Sequence, residues 1–532
     1  MQSAHTKRKC RKHKTRLAAA DIKNINKNAT RTIYLILRRM SEGPGLEVKR
    51  CFEKYGDAGG LLDSKKLREF LRDVQFMSPE EIHSAEKKHF DEDFHHIETI
   101  LGVFLEDDKM FGAVDYSRPQ DMTKPLTHYW INSSHNTYLK GRQVGMKSAS
   151  SLQYKRVLES GCRCIELDVW ESANQLKVCH RSLTNALDLK PVLELIKEYA
   201  FKTSTYPVIL SIEQHLSLKS LKRMMLHIRE CFKGFLLEDR FESCAESANL
   251  SLMSPGELRN CILIKMKGKR DIRGDFSVAK LSSPKNLNLI QECCSANVAD
   301  ANAIISLAES FADTMIYFNE EQWRVRTRNN LARVYPSACR IDSSNYLPVK
   351  VWLAGCQMAA LNLQKPGSSV LLNQALFDLN ERRGFVTKPE AILSGNVPTT
   401  PVEKLKLKIL SGHRFFALPR GAAKSKHIEC HLKAVIHGTT KDKKTEKLDV
   451  SFTLGHDFEI NAAFEFDICL PGAAFLELSI HSTERVGSFT AVVSSLRRGI
   501  RFLHLTDLIG RKAVPSSCLL AHIERETMLN EE

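Results

Sequence analysis

Residues 162–170 read CRCIELDVW, and this stretch decides how the middle of the chain folds. Glu166 and Asp168 are two residues apart, and side chains alternate between the two faces of a strand, so both carboxylates project from one face. Apolar residues before and between them are typical of a buried strand. The stretch therefore predicts a strand that ends on two acids.

Similar short β-rich runs recur on both sides of this strand, with helical stretches between them. The runs are HYWINSSH (128–135), LKVCH (176–180), PVILSIEQH (207–215), CILIKMK (261–267), VYPSACRID (334–342) and CQMAALNLQ (356–364). Alternation of this kind over about 240 residues predicts an α/β, TIM-like parallel barrel with an outer ring of helices. We expect two barrel halves, 120–268 and 303–392, separated by a polar linker at 269–302.

The flanking regions predict two further modules and a tail. Residues 1–28 are predicted to form a basic, disordered tail, and 29–115 show the apolar spacing of a helical module. Its segment YGDAGGLLDSKK (55–66) has the outline of an EF-hand loop, but Tyr55 and Lys66 stand where Ca²⁺ needs carboxylates, so the loop is degenerate. Period-two strands over 402–528 predict a C-terminal all-β, C2-like sandwich, and the whole chain is multidomain.

Composition limits the class of protein. The 532 residues are 43% hydrophobic and 26% charged, and no apolar run is long enough to span a bilayer. Fifteen scattered cysteines favour reduced thiols, and the lack of a secretory leader favours a cytoplasmic setting. A net charge of +16, concentrated partly in the tail and in KDKKTEK (441–447), favours acidic membrane surfaces as partners.

The strand ends bring together the residues that could carry chemistry. Active groups of parallel barrels gather where strands end, and here these ends supply His135, Asn136, Glu213 and the two acids of the opening stretch. Three carboxylates and an amide oxygen form a hard oxygen site suited to Ca²⁺. Lys265 and Lys267 repeat the two-residue spacing with opposite charge, which suits a phosphorylated substrate.

Five segments together resemble the X and Y halves of phosphoinositide-specific phospholipase C. They are PLTHYWINSSHNTYLKG (125–141), GCRCIELDVW (161–170), EYAFKTSTYPVILSIEQH (198–215), ILIKMKGK (262–269) and RVYPSACRIDSSNYLPVKVW (333–352). The helical module before them and the sandwich after them resemble the flanking domains of the short members, which lack a pleckstrin-type domain.

The resemblance implies hydrolysis of phosphatidylinositol 4,5-bisphosphate to diacylglycerol and inositol trisphosphate. Ca²⁺ would be held by positions matching Asn136, Glu166, Asp168 and Glu213, with Glu213 or Glu166 as general base. His135 would stabilise the phosphorane, and a second histidine would protonate the leaving glycerol oxygen. The headgroup positions match Lys265, Lys267, Arg333 and Tyr335.

Three departures from the family pattern affect this reading. Counting back from Thr184 puts Cys179 at the place of the second histidine, whereas a one-residue deletion would make His180 that histidine. We take His180 as the catalytic histidine and keep Cys179 as the alternative. The family serine that contacts a headgroup phosphate has no clear match near MIYFNEEQW (315–323). The sandwich segment HSTERVGS (481–488) has too few carboxylates for the Ca²⁺-binding loops of a C2 domain.

Two functional readings remain open, and a third is disfavoured. The first is a Ca²⁺-dependent phospholipase C in intracellular signalling, cytoplasmic and peripheral at phosphoinositide membranes and other anionic lipids. The second is a catalytically impaired relative that binds phosphoinositides or inositol phosphates as a scaffold. A Ca²⁺-sensing adaptor is disfavoured by the degenerate loop. We expect no nucleic-acid partner, and the resemblance does not indicate which protein would activate the enzyme. The basic tail could contact anionic lipid or direct nuclear import.

Overall fold

A computed structural model gives the fold. It describes residues 46–528 except 58, 118–119, 144–147, 241–251, 267–278, 283–303, 414–426, 443, 454–456, 482–484 and 507–516. The basic tail predicted for 1–28 therefore lies outside the described residues. Among the residues described, no helix combines the length and the apolar character needed to cross a membrane.

The first module is helical, with one short pair of strands. Its elements are α1 (Leu46–Phe52), β1 (Leu61–Asp63), α2 (Ser64–Asp73), α3 (Pro79–His89), β2 (Phe94–His96), α4 (Ile97–Glu106) and α5 (Asp108–Phe111). The predicted capping box is present at the start of α3, where the Ser78 side chain and Glu81 satisfy each other's backbone N–H groups. At the end of the EF-hand-like loop, Lys66 lies in the first turn of α2: its N–H donates to the Asp63 carboxylate at 2.7 Å, while its ammonium lies 3.3 Å from Glu69.

The central module is a closed barrel of eight parallel strands. In chain order they are β4 (Ser133–Ser134), β5 (Cys164–Ser172), β8 (Val208–His215), β9 (Ile262–Met266), β10 (Ala279–Ser282), β11 (Ile304–Ala308), β12 (Ala332–Tyr335) and β13 (Met358–Leu361). Each pairs in parallel with the next, and β4 pairs with both β5 and β13, which closes the ring. Two antiparallel strands, β6 (Gln175–Val178) and β7 (Leu187–Asp188), extend the sheet from the far end of β5.

Helices surround this barrel. They are α6 (Leu152–Glu159), α7 (Leu189–Tyr199), α8 (Leu218–Phe232), α9 (Leu237–Arg240), α10 (Glu309–Asn329), α11 (Val349–Leu353), α12 (Ser368–Asp378) and α13 (Glu390–Ser394). Helix α7 shows why they pack there: Leu189, Val192, Leu193 and Ile196 follow helical spacing, and all four are buried against the strands. A further pair, β3 (Tyr129–Ile131) and β14 (Phe385–Thr387), runs antiparallel beside the ring.

The segment predicted as a linker, 269–302, contains one barrel strand. Residues 279–282 form β10, which pairs with β9 on one side and β11 on the other. Most of the segment has the polar, turn-rich composition that indicated a linker. The strand sequence AKLS has only four residues, too few to show a strand pattern within it. The two halves therefore meet through a strand from the predicted linker.

The last module is a sandwich of two four-stranded antiparallel sheets. One sheet has the order β18 (Phe458–Ile468), β15 (Glu403–His413), β22 (Cys518–Thr527), β21 (Gly499–His504), and the other β17 (Lys444–Thr453), β16 (His427–His437), β19 (Phe475–His481), β20 (Arg485–Val492). Leu520 and Phe502 of this sandwich belong to the same buried cluster as Phe52 and Phe70 of the helical module. The predicted fold class, a helical EF-hand-like module, a TIM-like barrel and a C2-like sandwich, is confirmed.

Candidate active site

The predicted site residues lie at the carboxyl ends of the barrel strands. His135 and Asn136 directly follow β4, and Asn136 has a positive φ of 45°, a conformation that asparagine tolerates better than most residues. Glu166 and Asp168 lie on β5, and Asp168 is in register with Glu213 on β8. The fold therefore brings together residues from three neighbouring strands.

Three carboxylates form the centre of this site. Oxygen atoms of Glu166, Asp168 and Glu213 all lie within 4.8 Å of one another. The first two are buried, whereas the Glu213 side chain is 61% exposed. The cluster therefore presents one accessible acid above two that are held inside the barrel.

Asp168 is left incompletely satisfied by the protein. Its Oδ2 accepts a hydrogen bond from the Tyr138 hydroxyl at 2.6 Å, while its Oδ1 is buried and has no partner among the described residues. Burial, together with the charges of Glu166 and Glu213, raises the pKa of Asp168 well above its usual range. A cation would remove both penalties, and an all-oxygen donor set fits Ca²⁺ or another hard cation.

Glu166 is held as a carboxylate by its neighbours. Arg333 Nη2 donates to its Oε1 at 2.8 Å, and the Asn136 N–H donates to its Oε2 at 2.7 Å. Burial acts to raise the pKa of Glu166, but Arg333 and His135 outweigh it, so the pKa lies below its ordinary value. This carboxylate stays ionised and fixed in position.

His135 is oriented by an amide and faces the acids. Its Nδ1–H donates to Oδ1 of Asn362 at 2.9 Å, and its Nε2 lies 3.9 Å from Oε2 of Glu166. The ring is parallel to that of Tyr335, with 6.1 Å between centroids. Burial lowers the pKa of His135, which favours the neutral imidazole.

Two cations approach the cluster from the barrel interior. Lys265 is buried on β9, where its ammonium donates to Ser211 Oγ at 3.0 Å and burial lowers its pKa to about 7. The Arg333 guanidinium lies 5.3 Å from the Tyr335 ring centroid. Lys267, the other predicted lysine, lies outside the described residues.

Cys179 and His180 both lie beside the cleft, immediately after β6. Cys179 is buried, its N–H donates to the Asp168 carbonyl at 3.1 Å, and burial and then the charge of Asp168 raise the pKa of its thiol. Burial and then His135 lower the pKa of His180, with Glu213 opposing them. The Nδ1 of His180 is buried without a partner in the described part of the chain. Both residues therefore lie next to the acid cluster, with the Cys179 backbone hydrogen-bonded to that of Asp168.

One serine that lines the same barrel is not predicted from the sequence. Ser306 lies on β11, is buried, and is in register with Arg333 on β12, so the two side chains project to the same side of the sheet. The stretch searched for a serine, 315–323, instead lies within α10. The apolar run IISLA, which precedes an acid, could have indicated this strand and its serine. The same pattern is equally typical of the start of a helix.

A parallel barrel with clustered acids at its strand ends, next to buried cations, defines a barrel protein with a candidate metal and phosphate site. Family models identify it further: residues 122–268 match the phosphatidylinositol-specific phospholipase C X domain, and 285–391 match the Y domain. The chain belongs to the phosphoinositide-specific phospholipase C family.

Individual relatives agree with this assignment. The chain is 32% identical over 471 residues to 1-phosphatidylinositol 4,5-bisphosphate phosphodiesterase delta-3-A of Danio rerio, covering 76% of this chain but only 58% of that protein. It is 30% identical to inactive phospholipase C-like protein 2 of Homo sapiens, over 76% of this chain and 40% of that one. The crystal structure of L. pealei PLC21 matches with a TM-score of 0.77 at 25% identity, over 91% of this chain and 69% of that chain.

Proposed function

We propose that the protein is a Ca²⁺-dependent phospholipase C that hydrolyses phosphatidylinositol 4,5-bisphosphate to diacylglycerol and inositol trisphosphate. The observation that carries the proposal is an oxygen of Asp168 that is buried within a cluster of three carboxylates and has no partner in the parts of the chain that the structure describes. A protein that had no use for a cation at this point would bear the cost of a buried acid without compensation.

The ligands for the cation would be Asn136, Glu166, Asp168 and Glu213. Bound there, Ca²⁺ would supply charge neutralisation at the phosphate and a lower pKa for the inositol hydroxyl. Lys265, Arg333 and Ser306 line the interior beside these ligands and would bind phosphate oxygens, joined by Lys267, while Tyr335 would contact the inositol ring.

Glu213 is the better candidate for the general base. Glu166 already accepts hydrogen bonds from Arg333 and from the Asn136 backbone, whereas the Glu213 carboxylate is exposed and its ion pair within the described residues is with His215, at 3.3 Å. An accessible carboxylate can reach a substrate hydroxyl, and one locked in a buried salt bridge cannot. His135 would donate to the phosphate oxygen that gains negative charge in the transition state.

His180 would act as the general acid for the leaving glycerol oxygen. Its position just after β6, next to the residue whose N–H donates to the Asp168 carbonyl, supports this role, and a lowered pKa makes its imidazolium a stronger acid. A second candidate function, phosphoinositide binding without turnover, is favoured by Cys179, whose backbone hydrogen-bonds to Asp168 at the place where counting from Thr184 puts the family histidine.

Headgroup release from phosphatidylcholine vesicles containing phosphatidylinositol 4,5-bisphosphate, with Ca²⁺ titrated, tests the proposal. We expect wild-type release to depend on Ca²⁺, and His180→Ala and Glu213→Gln to lose about 10²- to 10⁴-fold in rate. His431→Ala, at an exposed histidine of the sandwich, is the matched control and should retain full rate. Wild-type release no faster than that of Glu213→Gln, with vesicle binding retained, would favour the binding function instead.

A paired substitution separates the two histidine alignments. Cys179→His combined with His180→Gly rebuilds the ungapped family order around the 3-10 turn Arg181–Leu183. If His180 already acts as the acid, the double variant should be slower than wild type. A faster double variant would show that Cys179 occupies the catalytic position.

A further inference from the structure

A second polar cavity lies far along the chain from the barrel site, between the helical module and the sandwich. Its volume is about 220 Å³, and its wall includes four arginines, Arg497, Arg498, Arg501 and Arg525. We call it the arginine cavity. Residues 75–77 and Glu81 line it from the helical side.

Arg501 is the most deeply placed of the four. It is only 3% exposed, and its four hydrogen bonds all end on backbone carbonyls, of Gln75, Phe111 and, twice, Arg498. Within the described part of the chain, no carboxylate forms a salt bridge with it. A buried guanidinium without a counter-ion is costly, and here burial and then Arg497 lower its pKa to about 9.

The other three guanidiniums differ in how far they are neutralised. Arg497 pairs with Asp115 at 3.3 Å, and Arg525 forms a two-point pair with Glu403, with both N–O distances 2.7 Å. Arg498 is exposed and lies over the Phe76 ring, 4.0 Å from its centroid, with no carboxylate partner among the described residues. Two of the four positive charges are therefore uncompensated by ion pairs.

Glu81, the other acid of the cavity wall besides Asp115, takes part in a helix cap. Glu81 Oε2 accepts the Ser78 N–H at 2.8 Å as part of the α3 capping box, so it is oriented towards the helix start. Its charge reduces the excess positive charge of the cavity without cancelling it. Phe76, Glu81 and Arg498 are exposed members of the cavity lining, whereas Arg501 is a buried member of it.

We propose that the arginine cavity binds a phosphate group, carried by a soluble phosphomonoester or by a lipid headgroup, between the helical module and the sandwich. Planar guanidiniums bind phosphate through paired N–H donors, which distinguishes phosphate from a spherical anion. A volume several times the roughly 30 Å³ of a water molecule leaves room for a phosphate with a small organic substituent. The inference does not depend on catalysis in the barrel.

Calorimetric titration of the full-length protein with sodium pyrophosphate, against sodium chloride at matched ionic strength, tests the inference. We expect wild type to bind pyrophosphate in preference to chloride, and Arg498→Gln and Arg497→Gln each to weaken binding by about tenfold. Arg68→Gln, at an exposed arginine of the same helical module that is absent from the cavity, is the matched control. Because Arg498 is exposed, its substitution leaves the core of both modules intact.

Two further arms identify the site and the source of the phosphate. Arg333→Gln removes the barrel guanidinium, so binding that is lost there but retained in Arg498→Gln would overturn the inference. Binding unaffected by all of these substitutions would also overturn it and leave the arginines a purely structural role. Arg498-dependent flotation with phosphatidylcholine vesicles that contain phosphatidylinositol phosphate would identify a lipid headgroup, whereas Arg498-dependent binding of pyrophosphate alone would identify a soluble ligand.

Discussion

Lys388 shows how the fold changes the ionisation of a single residue. It follows β14, is 3% exposed, and its ammonium donates to the carbonyls of Thr127 at 2.7 Å and Gly355 at 2.6 Å. Burial lowers its pKa to about 7. The hydrogen bonds of the lysine therefore connect the end of β14 to the barrel, while its buried ammonium bears a desolvation penalty.

We predict that Lys388 makes stability depend on pH. Below about pH 7 the lysine is protonated in both the folded and the unfolded chain, so the folded state bears the full cost of burying its charge. Between about pH 7 and 10 the unfolded lysine is protonated and the folded one is neutral, so the free energy of unfolding rises with pH. From about pH 7 to 8.5 the wild type should gain about 1–2 kcal/mol relative to Lys388→Met, measured by urea unfolding. Relative to Lys350→Met, a variant of an exposed lysine paired with Asp313 that keeps Lys388, the wild type should show no such gain. Equal pH dependence in the Lys388→Met variant would contradict the prediction.

At this scale the sequence predicts which residues share a strand face but not which of them pair. The two-residue spacing of Glu166 and Asp168 was enough to place them together, because alternation is a local property of a strand. The bond from Arg333 to Glu166 joins strands 167 residues apart, and no local pattern specifies such a pair. The exposure of Glu213, which makes it the accessible acid, likewise depends on the closed barrel.

Among the elements, β19 is joined to the barrel through a buried carboxylate. Glu477 on β19 accepts from Arg485 at 2.7 Å, pairs with His437 at 2.8 Å, and accepts from the Ser368 hydroxyl at the start of α12, also at 2.7 Å. Burial acts to raise the pKa of Glu477, but these partners outweigh it and bring the pKa to about 2. The network ties the sandwich to the barrel with one charged centre.

We predict that Glu477→Gln lowers the free energy of unfolding by about 3 kcal/mol, because it leaves Arg485 without its counter-ion. The wild type should also lose stability as the pH falls from about 4.3 towards 2, since the folded pKa is depressed, and the variant should not share this loss. Urea unfolding across that range measures both effects. Glu465→Gln, 60% exposed on β18, is the control, and a Glu477→Gln variant as stable as this control would show that the network contributes nothing.

Periodic elements were easier to predict than short ones. Helices such as α7 and the long strands of the sandwich contain enough residues to show a clear hydrophobic periodicity in the sequence. Strand β10 has four residues inside a polar segment, and β4 has two, so their assignment depends on neighbouring strands that complete the ring. Tertiary pairing, not local sequence, makes these residues strands.

In the whole molecule, the helical module and the sandwich share one core. Phe52 and Phe70 of the helices and Phe502 and Leu520 of the sandwich lie in the same buried cluster. Apolar area buried between modules favours unfolding as one cooperative unit. The helical module is therefore expected to depend on the sandwich for its stability.

We predict that Leu520→Ala destabilises α2 although the mutation lies in the sandwich. Removing a buried leucine costs about 2–5 kcal/mol, and here the cavity would open against the helices. Hydrogen exchange of the α2 amides should accelerate in Leu520→Ala by more than in Leu432→Ala, a buried sandwich leucine outside the shared cluster. Equal acceleration in the two variants would indicate that the modules open independently.

The ring of eight strands also bears on how such a protein can evolve. The two matched family domains pair directly where β13 meets β4; on the other side β10, which lies between the matched ranges, pairs with β9 of one domain and β11 of the other. A salt bridge from Arg333 to Glu166 also joins the two domains. Neither domain can therefore be exchanged independently of the other. Recombination that replaced one half alone would have to preserve strand register at both of these junctions and the Arg333–Glu166 pair, so the two halves are expected to be inherited together.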